Sequence, residues 1–103
     1  MKYIILINID MRRLTMQIKE CVNMLKAIGD ETRLLLLKEI EKEKEICACE
    51  LLEVVSCNQS TLSHHMKVLV DSGLVMAKKE WKWTYYSINR ENMNKLIDYI
   101  RGN

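Results

Sequence analysis

Four thiols, Cys21, Cys47, Cys49 and Cys57, are the groups in this chain with the widest reach of chemistry. A thiolate is a soft ligand suited to arsenite, cadmium, lead or zinc, and it is also the form that oxidants attack. Cys47 and Cys49 are separated by one residue. On a regular helix, positions so spaced diverge by about 200°, so joint capture of one ion from a helix requires its first turn to bend or unwind. His64 and His65 point about 100° apart on a helix and cannot chelate one ion together. An outward polar contact suits His64; His65, at the edge of the buried face, suits packing with one hydrogen bond. A thiol oxidoreductase would set its cysteine pair between a strand and a helix, and nothing here resembles that setting, so no catalytic residue is expected.

A second group of side chains suits nucleic acid. Between residues 59 and 72 the apolar positions Leu62, Met66, Leu69 and Val70 share one helical face, leaving Gln59, Ser60, Ser63, His64 and Lys67 on the other. These are donors and acceptors of short or medium reach, as reading of base edges requires. A face that only needed solubility would carry more Glu and Lys. Thr61, in the first turn, is placed for a phosphate at the helix N-terminus. Further on, Lys78, Lys79 and Lys82 surround a single Glu80, beside Trp81, Trp83, Tyr85 and Tyr86. Lysines around a turn can bracket a phosphate backbone while alternate aromatics pin the strands to the core. Lysines that merely guard a solvated edge strand would look the same.

The elements that must position these groups are legible because the 103 residues contain no proline and only three glycines. Ile18, Cys21, Val22, Leu25 and Ile28 mark a first helix, ended by Gly29. Asp30 caps a second, whose dense leucines between Leu34 and Ile40 suggest burial on most sides. A short third helix spans residues 49–55, and Asn58 caps the fourth, residues 59–72. Residues 74–79 and 83–88 alternate as two strands, together a hairpin over about 74–88. Asn89 caps a last helix, about 90–101, with a stripe of Met93, Leu96, Ile97 and Ile100. The expected fold is therefore mostly α with a small β-hairpin wing: a winged helix-turn-helix in the order α-α-α-α-β-β-α, whose fourth helix is the recognition helix. It forms one domain over 17–101, preceded by an N-terminal extension, 1–16.

Net charge is only +2, but residues 59–103 hold seven basic and four acidic side chains, a net +3, against −1 for residues 1–58. The basic excess thus sits with the recognition helix and wing. The apolar run Tyr3-Ile4-Ile5-Leu6-Ile7 is far short of the roughly 20 residues of a membrane helix, and it does not read as a secretory signal. A cytoplasmic setting without membrane contact is expected, where thiols stay reduced.

The segment Leu25-Lys26-Ala27-Ile28-Gly29-Asp30-Glu31-Thr32-Arg33-Leu34 resembles the opening signature of the ArsR/SmtB repressors. Ile46-Cys47-Ala48-Cys49-Glu50-Leu51 resembles their cysteine pair, and Gln59 through Leu69 is similar to their recognition helix almost residue for residue. Gly73-Leu74-Val75 and Trp83 through Ile88 match their wing, except that Trp81 stands where a glycine is usual. Glu31 stands where proline is frequent, a first-turn position that tolerates both.

The resemblance implies a homodimer built through the first and last helices. It would bind double-stranded operator DNA of imperfect two-fold symmetry with no cofactor, and would let go when an inducer binds. It implies Cys47 and Cys49 as metal ligands with Cys21 as a third, and arsenite, As(III), as inducer, with Cd(II), Pb(II) or thiol oxidation as alternatives. Cys21 serves equally as a core residue, and Leu52 occupies a position where some arsenite sensors have a third cysteine. Cys57 falls where relatives place an apolar residue and reads as core. With no histidine after His65, the family's other metal site, on the last helix, is not expected. DNA contacts are expected from Gln59, Ser60, Thr61, Ser63, His64, Lys67, Lys78, Lys79 and Lys82.

Overall fold

A computed structural model describes residues 18–102; the expected extension, 1–16, lies outside them. Helix α1 covers 18–28 among the described residues. It is followed by α2 (Glu31–Lys42), β1 (Ile46–Cys47), α3 (Ala48–Val54), α4 (Gln59–Asp71), β2 (Val75–Glu80), β3 (Trp83–Ile88) and α5 (Arg90–Arg101). Three helices start on the same device, a side-chain oxygen that accepts from a first-turn backbone N–H. Asp30 accepts from Arg33 at 3.1 Å, Asn58 from Thr61 at 2.8 Å and Asn89 from Asn92 at 3.1 Å. Each satisfies an amide that the helix itself cannot.

The strand β1 was not expected. Ile46 and Cys47 pair antiparallel with Tyr86 and Tyr85, so the hairpin becomes a three-stranded sheet of order β1-β3-β2. Two residues are too short for alternation to be visible in a sequence. They are nonetheless both buried, because the sheet covers them on one side and α3 begins immediately on the other.

Leu36, Ile40, Leu51, Met66, Leu69 and Leu74 are the most deeply buried large side chains, and Cys21, Met24 and Ala27 of α1 close the core over them. The leucine run of α2 is not buried on most sides: Leu36 and Leu37 face inward, while Leu34 and Leu35 are 44% and 54% exposed. Four consecutive leucines circle a helix, and neighbours in this chain cover only one side. The α1 stripe divides similarly. Cys21 points into the core, whereas Ile18, Val22 and Leu25 remain exposed, as do Ile97 and Ile100 of α5.

Arg33 ties three elements together. Its Nε donates to Ala27 O at the end of α1 (2.6 Å), and its Nη1 donates to His65 Nδ1 on α4 (3.2 Å). The backbone N–H of Arg33, with help from the Arg33 charge, holds the Asp30 carboxyl below the usual carboxylate range. His65 is thus a half-buried side chain bonded to Arg33, and it orients α4.

At the other end of α4, Gly73 has φ +89°, and its carbonyl accepts from Asn92 Nδ2 at 2.8 Å. A Cβ there would lie 2.9 Å from that same nitrogen. Gly73→Ala is therefore expected to lower unfolding stability by about 1–2 kcal/mol or more, from the left-handed backbone and the lost Asn92 contact together. Gly29→Ala, where φ is not left-handed, is expected to cost less. Chemical denaturation of both variants checks this, and equal losses would contradict it.

Candidate metal centre and nucleic-acid interface

Cys47 is extended, φ −73° and ψ 143°, and serves as the residue immediately before α3; Cys49 sits in the first turn of that helix. The expected need for the first turn of this helix to bend or unwind before both cysteines can meet one ion does not arise in this geometry. Because Cys47 belongs to the strand, its side chain turns back over the helix start, and the two sulfurs lie 2.8 Å apart with no helix unwound. Cys47 is buried and Cys49 exposed, so the pair is open to solvent on the Cys49 side.

The Cys49 thiol donates to Cys47 Sγ. That hydrogen bond first, then partial burial and the neighbouring Cys47 and Glu50 charges, raise its pKa above the ordinary thiol value. Two thiolates holding a tetrahedral ion at ~2.3 Å stand about 3.8 Å apart, so two neighbouring sulfurs in hydrogen-bond contact are close enough to share one ion. The soft donors fit a thiophilic ion. Among the described residues, no group of three or more His, Cys, Asp or Glu side chains gathers to hold a metal. Cys21 lies in the core, 6% exposed, its pKa raised by burial and then by Glu20. Cys57 is half-buried and packs against the same core.

The cysteine pair lines a cleft of about 310 Å³ that sequence reasoning did not find. Ala48 and Leu52 of α3 line one side, Gln59, Leu62 and Ser63 of α4 a second, and Lys82, Trp83, Thr84 and Tyr86 of the wing a third. The thiols therefore share one cavity with the start of the recognition helix and with the wing. The backbone adds a second connection, since Cys47 pairs with Tyr85 in β3. Only the two-residue strand could have signalled this in the sequence, and its length hides it.

On α4, Leu62, Met66 and Leu69 are buried, and Gln59, Ser60, Thr61, Ser63, His64 and Lys67 are all exposed on the opposite side. The wing departs further from expectation. Lys78 is ion-paired to Glu45 at 2.9 Å and to Glu80 at 3.1 Å, which raises its pKa, and Lys67 is paired to Asp71 at 3.0 Å. Lys79 and Lys82 make no ion pair among the described residues. Lys82 Nζ instead stands 4.7 Å from the Trp81 ring centre and 5.1 Å from that of Trp83, within cation–π range of both. The tryptophans do not pin the strands: Trp81 is 82% and Trp83 43% exposed, and it is Tyr86 that packs on the core. Trp81 fills the turn position of the missing glycine with the left-handed backbone a glycine would adopt, φ +57°.

Comparison with known proteins finds relatives by sequence and by fold. A family model described as bacterial regulatory protein, arsR family, matches residues 30–77. An arsenical resistance operon repressor of Staphylococcus xylosus is 42% identical over 85% of this chain and 80% of its own. A cadmium resistance transcriptional regulatory protein homologue of Staphylococcus aureus is 32% identical over 71% of this chain and 60% of its own. The solution structure of a homodimeric winged helix-turn-helix DNA-binding domain from Mycobacterium bovis superposes with a TM-score of 0.67 at 24% identity, covering 89% of this chain and 82% of that one. The fold is a winged helix-turn-helix, and fold and sequence are those of DNA-binding transcription regulators, not of enzymes. No helix among the described residues is long and apolar enough to cross a membrane.

Two outcomes are expected. Cadmium affinity should climb with pH between about 6 and 9, because both thiol protons must leave and the Cys49 proton is held more tightly than usual. Thiolate-to-cadmium absorbance reads this directly, and an affinity flat across that range would contradict it. Lys79→Ala should reduce the slope of log affinity for DNA against log salt by about 1. Lys78→Ala should change it less, since two carboxylates already occupy that ammonium. The reverse order would remove Lys79 from the interface.

Proposed function

The chain belongs to the arsR family of bacterial regulatory proteins, and from that premise we propose that it is a cytoplasmic homodimeric repressor released from operator DNA when trivalent arsenic binds Cys47 and Cys49. The carrying observation is that two sulfurs 2.8 Å apart line the same cleft as Gln59 and Ser63 of the recognition helix and Lys82 to Thr84 of the wing. Reading of base edges falls to Gln59, Ser60, Ser63 and His64, and phosphate contact to Thr61, Lys67, Lys79, Lys82 and, after exchange of its carboxylate partners, Lys78. Exposed ion pairs are weak enough for that exchange. The dimer forms through the uncovered faces of α1 (Ile18, Val22, Leu25) and α5 (Ile97, Ile100). The homodimeric state of the Mycobacterium bovis domain supports that assembly.

Binding of arsenite replaces two of its hydroxyls by sulfur: two As–O bonds break, two As–S bonds form, and each thiol proton leaves with a hydroxyl as water. Arsenic stays trivalent. The bound arsenic fills the cleft that α4 and the wing share, so the two can no longer meet one DNA face in their free-state arrangement. The arsenical resistance repressor among the relatives supports arsenite as inducer; the cadmium resistance relative supports a soft divalent cation as the second reading.

Fluorescence anisotropy on duplex DNA from upstream of the protein's own gene tests the proposal. Arsenite is expected to release the reduced protein at about one equivalent per chain. The Cys47→Ser/Cys49→Ser double variant is expected to bind DNA as before and to ignore arsenite. An unaltered response of that variant would overturn the proposal.

A further inference from the structure

Taking the Cys47–Cys49 pair as the effector site, we infer that it selects trivalent arsenic carrying one organic substituent over inorganic arsenite. The inference deepens the proposed function and rests on it. Trivalent arsenic makes three bonds. The pair supplies two sulfurs, and among the described residues no third His, Cys, Asp or Glu joins them. Cys21 could contribute only by leaving a packed core in which it is 6% exposed.

The third substituent on arsenic therefore remains, and it must lie in or beside the cleft. Ala48, Leu52, Leu62 and the rings of Trp83 and Tyr86 line that space. Leu52 is only half-buried and Trp83 is 43% exposed, so an organic group laid against them removes further apolar surface from water. Room is sufficient: an apolar cavity of roughly 150 Å³ accepts benzene, and the cleft measures about 310 Å³. A hydroxyl in that place finds Gln59, Ser63 and Thr84, so arsenite still binds but gains nothing from the apolar wall. The reaction balances without an oxidant or reductant. An aryl- or alkylarsenous acid, RAs(OH)₂, exchanges both hydroxyls for the two sulfurs and releases two waters, and its As–C bond is untouched.

The test titrates the reduced, full-length protein on its operator duplex with phenylarsine oxide, hydrated to the arsenous acid, and separately with sodium arsenite. Phenylarsine oxide is expected to release DNA at a midpoint about tenfold or more below that of arsenite, with two of the four thiols per chain lost to a thiol reagent. Equal midpoints, or a lower one for arsenite, would overturn the inference. Cys21→Ala, checked for folding by its DNA binding without arsenical, is expected to retain the preference. Loss of both responses in that variant would assign a third thiol and overturn the inference, leaving the effector pair standing. A response of the Cys47→Ser/Cys49→Ser protein to either arsenical would remove the effector site itself, and the preference with it.

Discussion

Ile46 and Cys47 pair with Tyr86 and Tyr85 through two residues of backbone, and most of what is functional in the chain depends on that short ladder. The ladder holds Cys47 in an extended conformation, outside α3. It makes Cys47 the last residue before α3 and Cys49 a residue of its first turn, so the backbone turns a corner between the two sulfurs. Without that corner a one-residue spacing would point the thiols apart. With it they stand 2.8 Å from one another.

The same ladder joins the thiols to the wing. β3 is the central strand of the sheet, with the thiol-bearing β1 on one side and the lysine-bearing β2 on the other. A displacement at Cys47 therefore has a hydrogen-bonded route of one strand pair to the wing, and the shared cleft adds a steric route to Gln59 and Ser63. Coupling between ligand and DNA needs no long pathway in such an arrangement. A coupling free energy of about 1–3 kcal/mol, typical of allosteric proteins, corresponds to roughly 5- to 150-fold in affinity, and two elements that must fit the DNA together are sensitive to small changes in their mutual placement. The opposite side of α4 is tied to α1 and α2 by Arg33, which bonds both Ala27 and His65.

Much of this was legible in the sequence, because its signals are local. Asp30, Asn58 and Asn89 announced helix starts by residue type, the alternation from residue 83 to 88 announced a strand, and the apolar face of residues 59–72 announced which side of that helix looks outward. What stayed hidden depends on contacts between distant segments. A strand of two residues has no periodicity. The partners of Lys78 are a glutamate two positions along and another, Glu45, from a different element. Apolar stripes on α1, α2 and α5 say that a face is apolar, not whether its neighbour lies in the same chain, and this is why Leu35 and Ile100 are exposed. Of the candidate site, the cysteines and the outward polar set of α4 were readable singly. Their meeting in one cleft is a property of the sheet and of α3.

The central claim is that a ligand on the thiols acts directly on the DNA-binding elements, and the chain carries its own reporter for it. Its two tryptophans, Trp81 and Trp83, both stand on the wing, and Trp83 lines the thiol cleft. The decisive measurement is tryptophan emission of the reduced protein, without DNA, during titration with a trivalent arsenical while thiols are counted in parallel. The account predicts a change in emission that saturates with the loss of two thiols per chain. Loss of those thiols with emission unaltered would contradict it, because the site would then be filled without the wing sensing it.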